Sequence, residues 1–151
     1  MSERDDLIQR LMLLGQIDAT QTALFQQRAA ASYGLGITEM KALDILTREG
    51  PQTAGQLTAA LHLTSGAITG VVDRLEKRGL AHRGVDADDR RKVIVTADLQ
   101  QLASGENVYL GIGQAFADLH GSYSTAELEF LVRHLEASTE ITKRETERLK
   151  D

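Results

Sequence analysis

The sequence predicts a mainly α-helical fold, broken once by a short β-hairpin of two to three strands and framed by long helices at both ends. Three observations carry this. Apolar residues recur at helical spacing over both terminal regions, and the single proline, Pro51, leaves those runs uninterrupted. Two short helical segments meet at His62-Leu63, and each follows a threonine suited to cap it. Two short apolar stretches then flank Asp86-Ala87-Asp88-Asp89-Arg90-Arg91-Lys92, a charged run expected at a hairpin tip.

In chain order, Asp5–Ser32 carries Leu7, Ile8, Leu11, Leu14, Ile17, Leu24 and Phe25 at near-helical spacing and ends at the turn signal Tyr33-Gly34-Leu35-Gly36. A helix that long is expected to bury one face in a partner. Thr38 to about Arg48 forms a second helix, stopped by Gly50-Pro51. Thr53-Ala54-Gly55-Gln56 fits a capping box, in which the threonine and glutamine side chains satisfy each other's backbone N–H groups. It opens a short helix to about Leu61. His62 tolerates the left-handed backbone better than most residues, so it reads as a turn residue before a metal ligand. Thr64 then caps a helix running to Arg78, with Ile68, Val71, Val72 and Leu75 as its core face and Gly79 as its stop.

Ala81–Val85 and Lys92–Thr96 read as short strands. Thr96 or Asp98 is placed to cap a long helix from Leu99 to about His120. Ser124-Thr125-Ala126-Glu127 is a second capping box and opens a final helix through Leu149.

Composition bounds the function. The chain has 151 residues, 42% hydrophobic, enough for one core. Aromatics are 4% with no Trp, which disfavours sugar or base stacking platforms. The absence of Cys removes disulfides, thiolate metal sites and thiol redox sensing. No apolar run approaches about 20 residues, and Met1 to Asp6 is too acidic for a signal peptide, so a cytoplasmic chain without a membrane partner is expected. Net charge is −5, but unevenly spread. Residues 1–50 hold five bases and seven acids, residues 98–151 five bases and ten acids, and residues 51–97 seven bases and five acids. The one positive block contains the helix pair and the hairpin, so acids elsewhere lower non-specific affinity for DNA without opposing contact there.

A helix suited to a DNA groove, followed by a hairpin with two adjacent arginines, is the layout of a winged helix-turn-helix. DNA binding is therefore the expectation, with double-stranded DNA as partner. Arg90 and Arg91 at the tip suit a narrow minor groove. Thr53 and Thr64 stand at helix N-termini, where backbone N–H groups favour phosphate. Ser65 and Thr69 are expected to reach base edges, with weak discrimination because a hydroxyl both donates and accepts. Gly66 and Gly70 share one face, which suits close approach to DNA or tight packing against another helix; the first is favoured. Arg74 suits phosphate or guanine, with an ion pair to a neighbouring acid as the bland alternative. Arg91 has Asp86 and Asp89 as candidate partners.

Residues 37–97 resemble the winged-helix core of the MarR family of transcriptional regulators. The resemblance rests on Gly50-Pro51-Gln52-Thr53, on Val72-Asp73-Arg74-Leu75-Glu76-Lys77-Arg78-Gly79-Leu80, and on Asp86-x-x-Asp89-Arg90-Arg91. Ala87 stands where the family often has proline, and His62 where a small turn residue is common. The resemblance implies a ligand-responsive repressor, a palindromic operator, a minor-groove role for Arg90, and a homodimer built from residues 1–36 and 98–151. It also implies an anionic or aromatic effector; Tyr33, Phe25, Met40 and Tyr109 are candidate lining or plain core.

Competing chemistry is thin. Gly111-Ile112-Gly113 lies within a helical stretch with no preceding strand, so it is no dinucleotide fingerprint. His62, His82, His120 and His134 lack ligand-like spacing, and no nucleophile motif is present. No enzymatic activity, cofactor or metal is expected. The remaining rival is a winged helix used only for dimerisation or protein docking, because fold does not fix function.

Overall fold

The computed structural model describes residues 2–149. These form two compact units, one ending at Val108 and one beginning at Tyr109.

In the first unit, α1 (Glu3–Ser32) begins at a capping box: the Ser2 hydroxyl accepts the Asp5 N–H at 3.2 Å, and the Asp5 carboxylate accepts the Ser2 N–H at 3.0 Å. It stops where Gly34 takes φ +68°, which lets the Leu35 N–H reach back to the Ala30 carbonyl at 2.9 Å. Ala29 and Ala30 are the buried residues of this long helix. Next comes α2 (Ile37–Glu49), one residue earlier than the expected Thr38, burying Ala42, Leu43, Ile45 and Leu46. Gly50, at φ +83°, ends it.

Gln52–Thr53 forms β1, a strand too short to show periodicity. Thr53 caps α3 (Ala54–Leu61) as expected, accepting the Gln56 N–H at 3.0 Å while Gln56 Oε1 accepts the Thr53 N–H at 2.8 Å. His62 adopts φ 53°, ψ 44°, the left-handed turn conformation expected of it. Thr64 then caps α4 (Ser65–Lys77) by accepting the Ala67 N–H at 3.2 Å.

The wing is β2 (Ala81–Val85) paired antiparallel with β3 (Val93–Ala97), which begins one residue after the expected Lys92. β1 adds to the other edge of β3, with Gln52 opposite Val95 and Thr53 opposite Ile94. The sheet order is therefore β1-β3-β2.

The core lies between α2, α3, α4 and this sheet. Leu57, Ile68, Val71, Val72, Leu75 and Val95 are its largest fully buried side chains. Each such side chain contributes about 1.5–3 kcal/mol of hydrophobic stabilisation. The four α4 residues assigned to the core by periodicity are the four that are buried. That buried stripe fixes which face of α4 is left outward.

The long helix expected from Leu99 to His120 is instead two. Asp98 caps α5 (Leu99–Ser104), accepting the Gln101 N–H at 2.8 Å, and α6 begins at Tyr109. Gly105 and Asn107 are weak helix formers. The interruption's backbone is also satisfied elsewhere: the Tyr33 hydroxyl donates to the Glu106 carbonyl at 3.2 Å and accepts the Val108 N–H at 3.3 Å. Periodicity carried through this break because the flanking apolar spacing is consistent with one helix.

In the second unit, α6 (Tyr109–Gly121) turns through Ser122-Tyr123 into α7 (Thr125–Arg148). Ser124 opens α7 with the expected capping box: its hydroxyl accepts the Glu127 N–H at 3.2 Å, and the Glu127 carboxylate accepts the Ser124 N–H at 2.7 Å. These bonds hold the Glu127 carboxyl below the usual glutamate value. Neither α6 nor α7 has a buried residue.

Candidate nucleic-acid interface

The apolar stripe of α4 is sunk in the core, so its opposite face is outward. Ser65, Gly66, Thr69, Asp73, Arg74 and Lys77 are exposed there, and Gly70 is half-buried. α4 spans about 20 Å, enough to lie along a major groove. Its N-terminus is capped by Thr64 and flanked by an exposed serine and glycine.

The two helix-interior glycines separate in role. A methyl group at Gly66 would meet nothing within 4 Å, so no neighbouring helix requires glycine there. At Gly70 it would sit 3.2 Å from Nη1 of Arg74, a side chain of the same helix. Among the described residues no other helix packs tightly against either glycine.

Thr69 Oγ1 donates to the Ser65 carbonyl at 3.0 Å. With its proton committed, the hydroxyl presents lone pairs and a methyl group outward, which narrows the ambiguity of a free threonine. Arg74, expected on DNA or in an ion pair, is ion-paired here through Nε to Glu39 of α2. Glu39 is buried, with 8% of its side chain exposed against 60% for Arg74. Burial pushes the Glu39 carboxyl up. Backbone N–H groups of Glu39 and Gly36, with the Arg74 guanidinium, overcome this and hold it below the usual glutamate value.

At the wing tip the acids build the loop. Asp86 Oδ1 accepts the Asp88 N–H at 2.9 Å, and Asp89 Oδ1 accepts the Arg91 N–H at 3.1 Å. The Asp86 N–H donates to the Lys92 carbonyl at 3.2 Å, closing the hairpin. Of the two partners considered for Arg91, Asp89 is the one found, with Arg91 Nε to Asp89 Oδ1 at 3.2 Å. Arg90 is exposed and makes no hydrogen bond or ion pair among the described residues. The tip therefore holds one tethered and one unengaged guanidinium.

Sequence reasoning missed Arg83 on β2. Its guanidinium pairs with Asp73 at 2.7 Å and with Glu76, both on α4, and donates to the Thr69 carbonyl at 3.3 Å. One side chain thus ties the wing to the exposed face of α4. The available signal was Asp73-x-x-Glu76, two acids on one helical face, with an arginine two residues beyond the inward Ala81. Glu39 was missed as well, and no local pattern marks it.

The remaining candidates divide between the two units. Tyr33 and Met40 pack against the core of the first unit, and Phe25 is half-buried on α1. Tyr109 belongs to the second unit. A shallow cleft at the α6–α7 corner is lined by Tyr123, Ala126, Glu127, Phe130 and Leu131 and contains none of them. Among the described residues no cluster of three or more His, Asp or Glu is placed to hold a metal, and no helix is long and apolar enough to cross a membrane.

A capped, outward helix beside an arginine-tipped β-hairpin defines a winged helix-turn-helix DNA-binding regulator. Residues 35–93 match the MarR family. The chain is 34% identical over 149 residues to the uncharacterized HTH-type transcriptional regulator YcgE of Bacillus subtilis, covering 99% of this chain and 97% of that one. The HTH-type transcriptional repressor NicR of Pseudomonas putida is 36% identical over 83 residues, 55% of this chain and 52% of that protein. A MarR family protein structure from Bacillus stearothermophilus superposes with a TM-score of 0.69 at 24% identity, covering 95% of this chain and 99% of that one. The chain belongs to the MarR family and is a DNA-binding transcriptional regulator.

Proposed function

We propose that this regulator works as a homodimeric, ligand-responsive repressor on a palindromic operator. In this reading α4 enters the major groove through Ser65, Gly66 and Thr69, and Arg90 enters the adjacent minor groove. Thr53, Thr64, Arg74 and Arg91 take phosphate or groove-edge contacts. The observation that carries it is the exposed, unengaged Arg90 at the tip of a hairpin pinned by Arg83 to the outward face of α4.

Dimerisation is supported by uncovered apolar surface. Leu7, Leu11, Leu14 and Ile17 on α1 are exposed, as are Phe116 and Leu119 on α6 and Phe130, Leu135 and Ile141 on α7. Apolar helices left this bare mark an interaction surface. Obligate interfaces of this type bury on the order of 2,000 Å² or more. A two-fold dimer matches a two-fold operator, each α4 meeting one half-site.

Retention on immobilised duplex DNA at low and then high salt, with sequencing of the genomic fragments kept, tests the DNA reading and supplies the operator. Sedimentation of a folded monomer at micromolar concentration would defeat the dimer. Release of the operator complex by aromatic acids, followed by fluorescence anisotropy, tests the effector.

A further inference from the structure

We infer that Glu39 is a positioning residue for DNA recognition: it holds Arg74 by Nε, so that the guanidinium lies along the outer face of α4 with its two Nη groups free for DNA. The inference rests on the DNA-binding assignment of α4.

Glu39 is the one buried charged residue among those described. It occupies the third position of α2, where an acid commonly caps a helix. Asp5 and Glu127 occupy the same position in α1 and α7, and both are exposed and paired with a capping serine. At α2 the capping residue is Gly36, which has no side chain to reciprocate. Capping alone therefore does not require Glu39 to be buried, and burying a carboxylate is costly without a cationic partner. That partner is Arg74, on the helix that carries the candidate base-reading residues.

Two glycines make room for the pair. A methyl group at Gly36 would collide with the Glu39 carboxylate, and one at Gly70 would press on Arg74 Nη1 at 3.2 Å. Glycine inside a helix is destabilising relative to alanine, so the clearance at Gly70 is obtained at the expense of helix stability. With Nε engaged by Glu39, the Nη edge lies beside Gly70, which follows Thr69 directly and stands one turn from Gly66. A long flexible cation is thereby ordered before DNA arrives, which lowers the entropy lost on binding. Arginine reads the O6/N7 edge of guanine through such a fixed pair of N–H groups, a contact that an unrelated duplex does not reproduce.

The test uses the full chain and the duplex that the wild type retains from genomic fragments, beside an unrelated duplex of equal length. Anisotropy titrations compare wild type, Glu39→Gln, Arg74→Ala and the double variant. Glu39→Gln is expected to weaken binding to the retained duplex about five- to tenfold, spare the unrelated duplex, and have no effect once Arg74 is alanine. Equal loss on both duplexes, or persistence of the loss without Arg74, would overturn the inference by showing that Glu39 acts through the fold alone. Should Glu39→Gln not fold, Gly70→Ala crowds Arg74 while leaving the pair's atoms intact. It is expected to give the same selective loss only while Arg74 is present; unchanged discrimination, or a loss that persists in the Gly70→Ala/Arg74→Ala double variant, would overturn the inference. A wild type that distinguishes no duplex would defeat the DNA reading together with this one. Wild-type discrimination that survives in Glu39→Gln would remove only the role of Glu39.

Discussion

Replacing Arg83 with alanine should loosen the wing and weaken DNA binding through its contacts with α4. The guanidinium serves Asp73 at 2.7 Å, Glu76, and the Thr69 carbonyl at 3.3 Å. Asp73 is 60% exposed, so water screens that pair to about 0.2–1 kcal/mol. Arg83 and Glu76 are each about one-third exposed, and their bond contributes about 1 kcal/mol after screening. The total loss is about 1–2 kcal/mol, which lowers the melting temperature by roughly 3–6 °C for a chain of this size. Two carboxylates then stand unneutralised on the outward face of α4, and β2 no longer fixes the distance between helix and wing. Operator affinity should fall about tenfold, equivalent to about 1.4 kcal/mol. The slope of log K against log salt should stay unchanged, because Arg83 neutralises carboxylates and not phosphates. Calorimetric melting and anisotropy at two salt concentrations measure both effects. An unchanged melting temperature, or a slope shallower by about one unit, would refute the reasoning, the latter by making Arg83 a phosphate ligand.

Arg90→Ala should weaken operator binding by about 1–3 kcal/mol with helix content and dimerisation unchanged, while Arg91→Ala should cost less because Asp89 already engages Arg91; anisotropy titration of both variants checks the order. His62→Gly should stabilise the fold by up to about 1 kcal/mol, since a non-glycine residue at φ 53° carries a steric penalty, and urea unfolding at fixed protein concentration reads the gain. Acidification should expose Glu39. Its folded value lies below the unfolded one, so its contribution is present above the usual glutamate value and is lost as pH falls through the depressed one. Urea midpoints should therefore fall less steeply with acid in Glu39→Gln than in wild type, and identical profiles would count against the pair's contribution.

What the chain declared locally was formed locally. The boxes at Thr53 and Ser124, the cap at Thr64, the left-handed His62 and the buried stripe of α4 all depend on bonds or spacing within about one helical turn, which sequence displays directly. The hairpin and its charged tip followed from two short strand-like stretches, the second β-branched at Val93-Ile94-Val95, and the turn-forming aspartates between them. The long helix after Asp98 failed at Gly105 and Asn107, weak helix formers whose break is stabilised by Tyr33, 73 residues away from Glu106. Spacing alone held no sign of it. The Glu39–Arg74 pair spans 35 residues and two helices, so only the packing of α2 against α4 brings it together. Gly70 illustrates the division. Its presence on the outward face of α4 was legible from periodicity. Its neighbour, the Arg74 guanidinium drawn back by Glu39, was decided by tertiary structure, because a buried carboxylate selects its cation from whatever the fold places within reach.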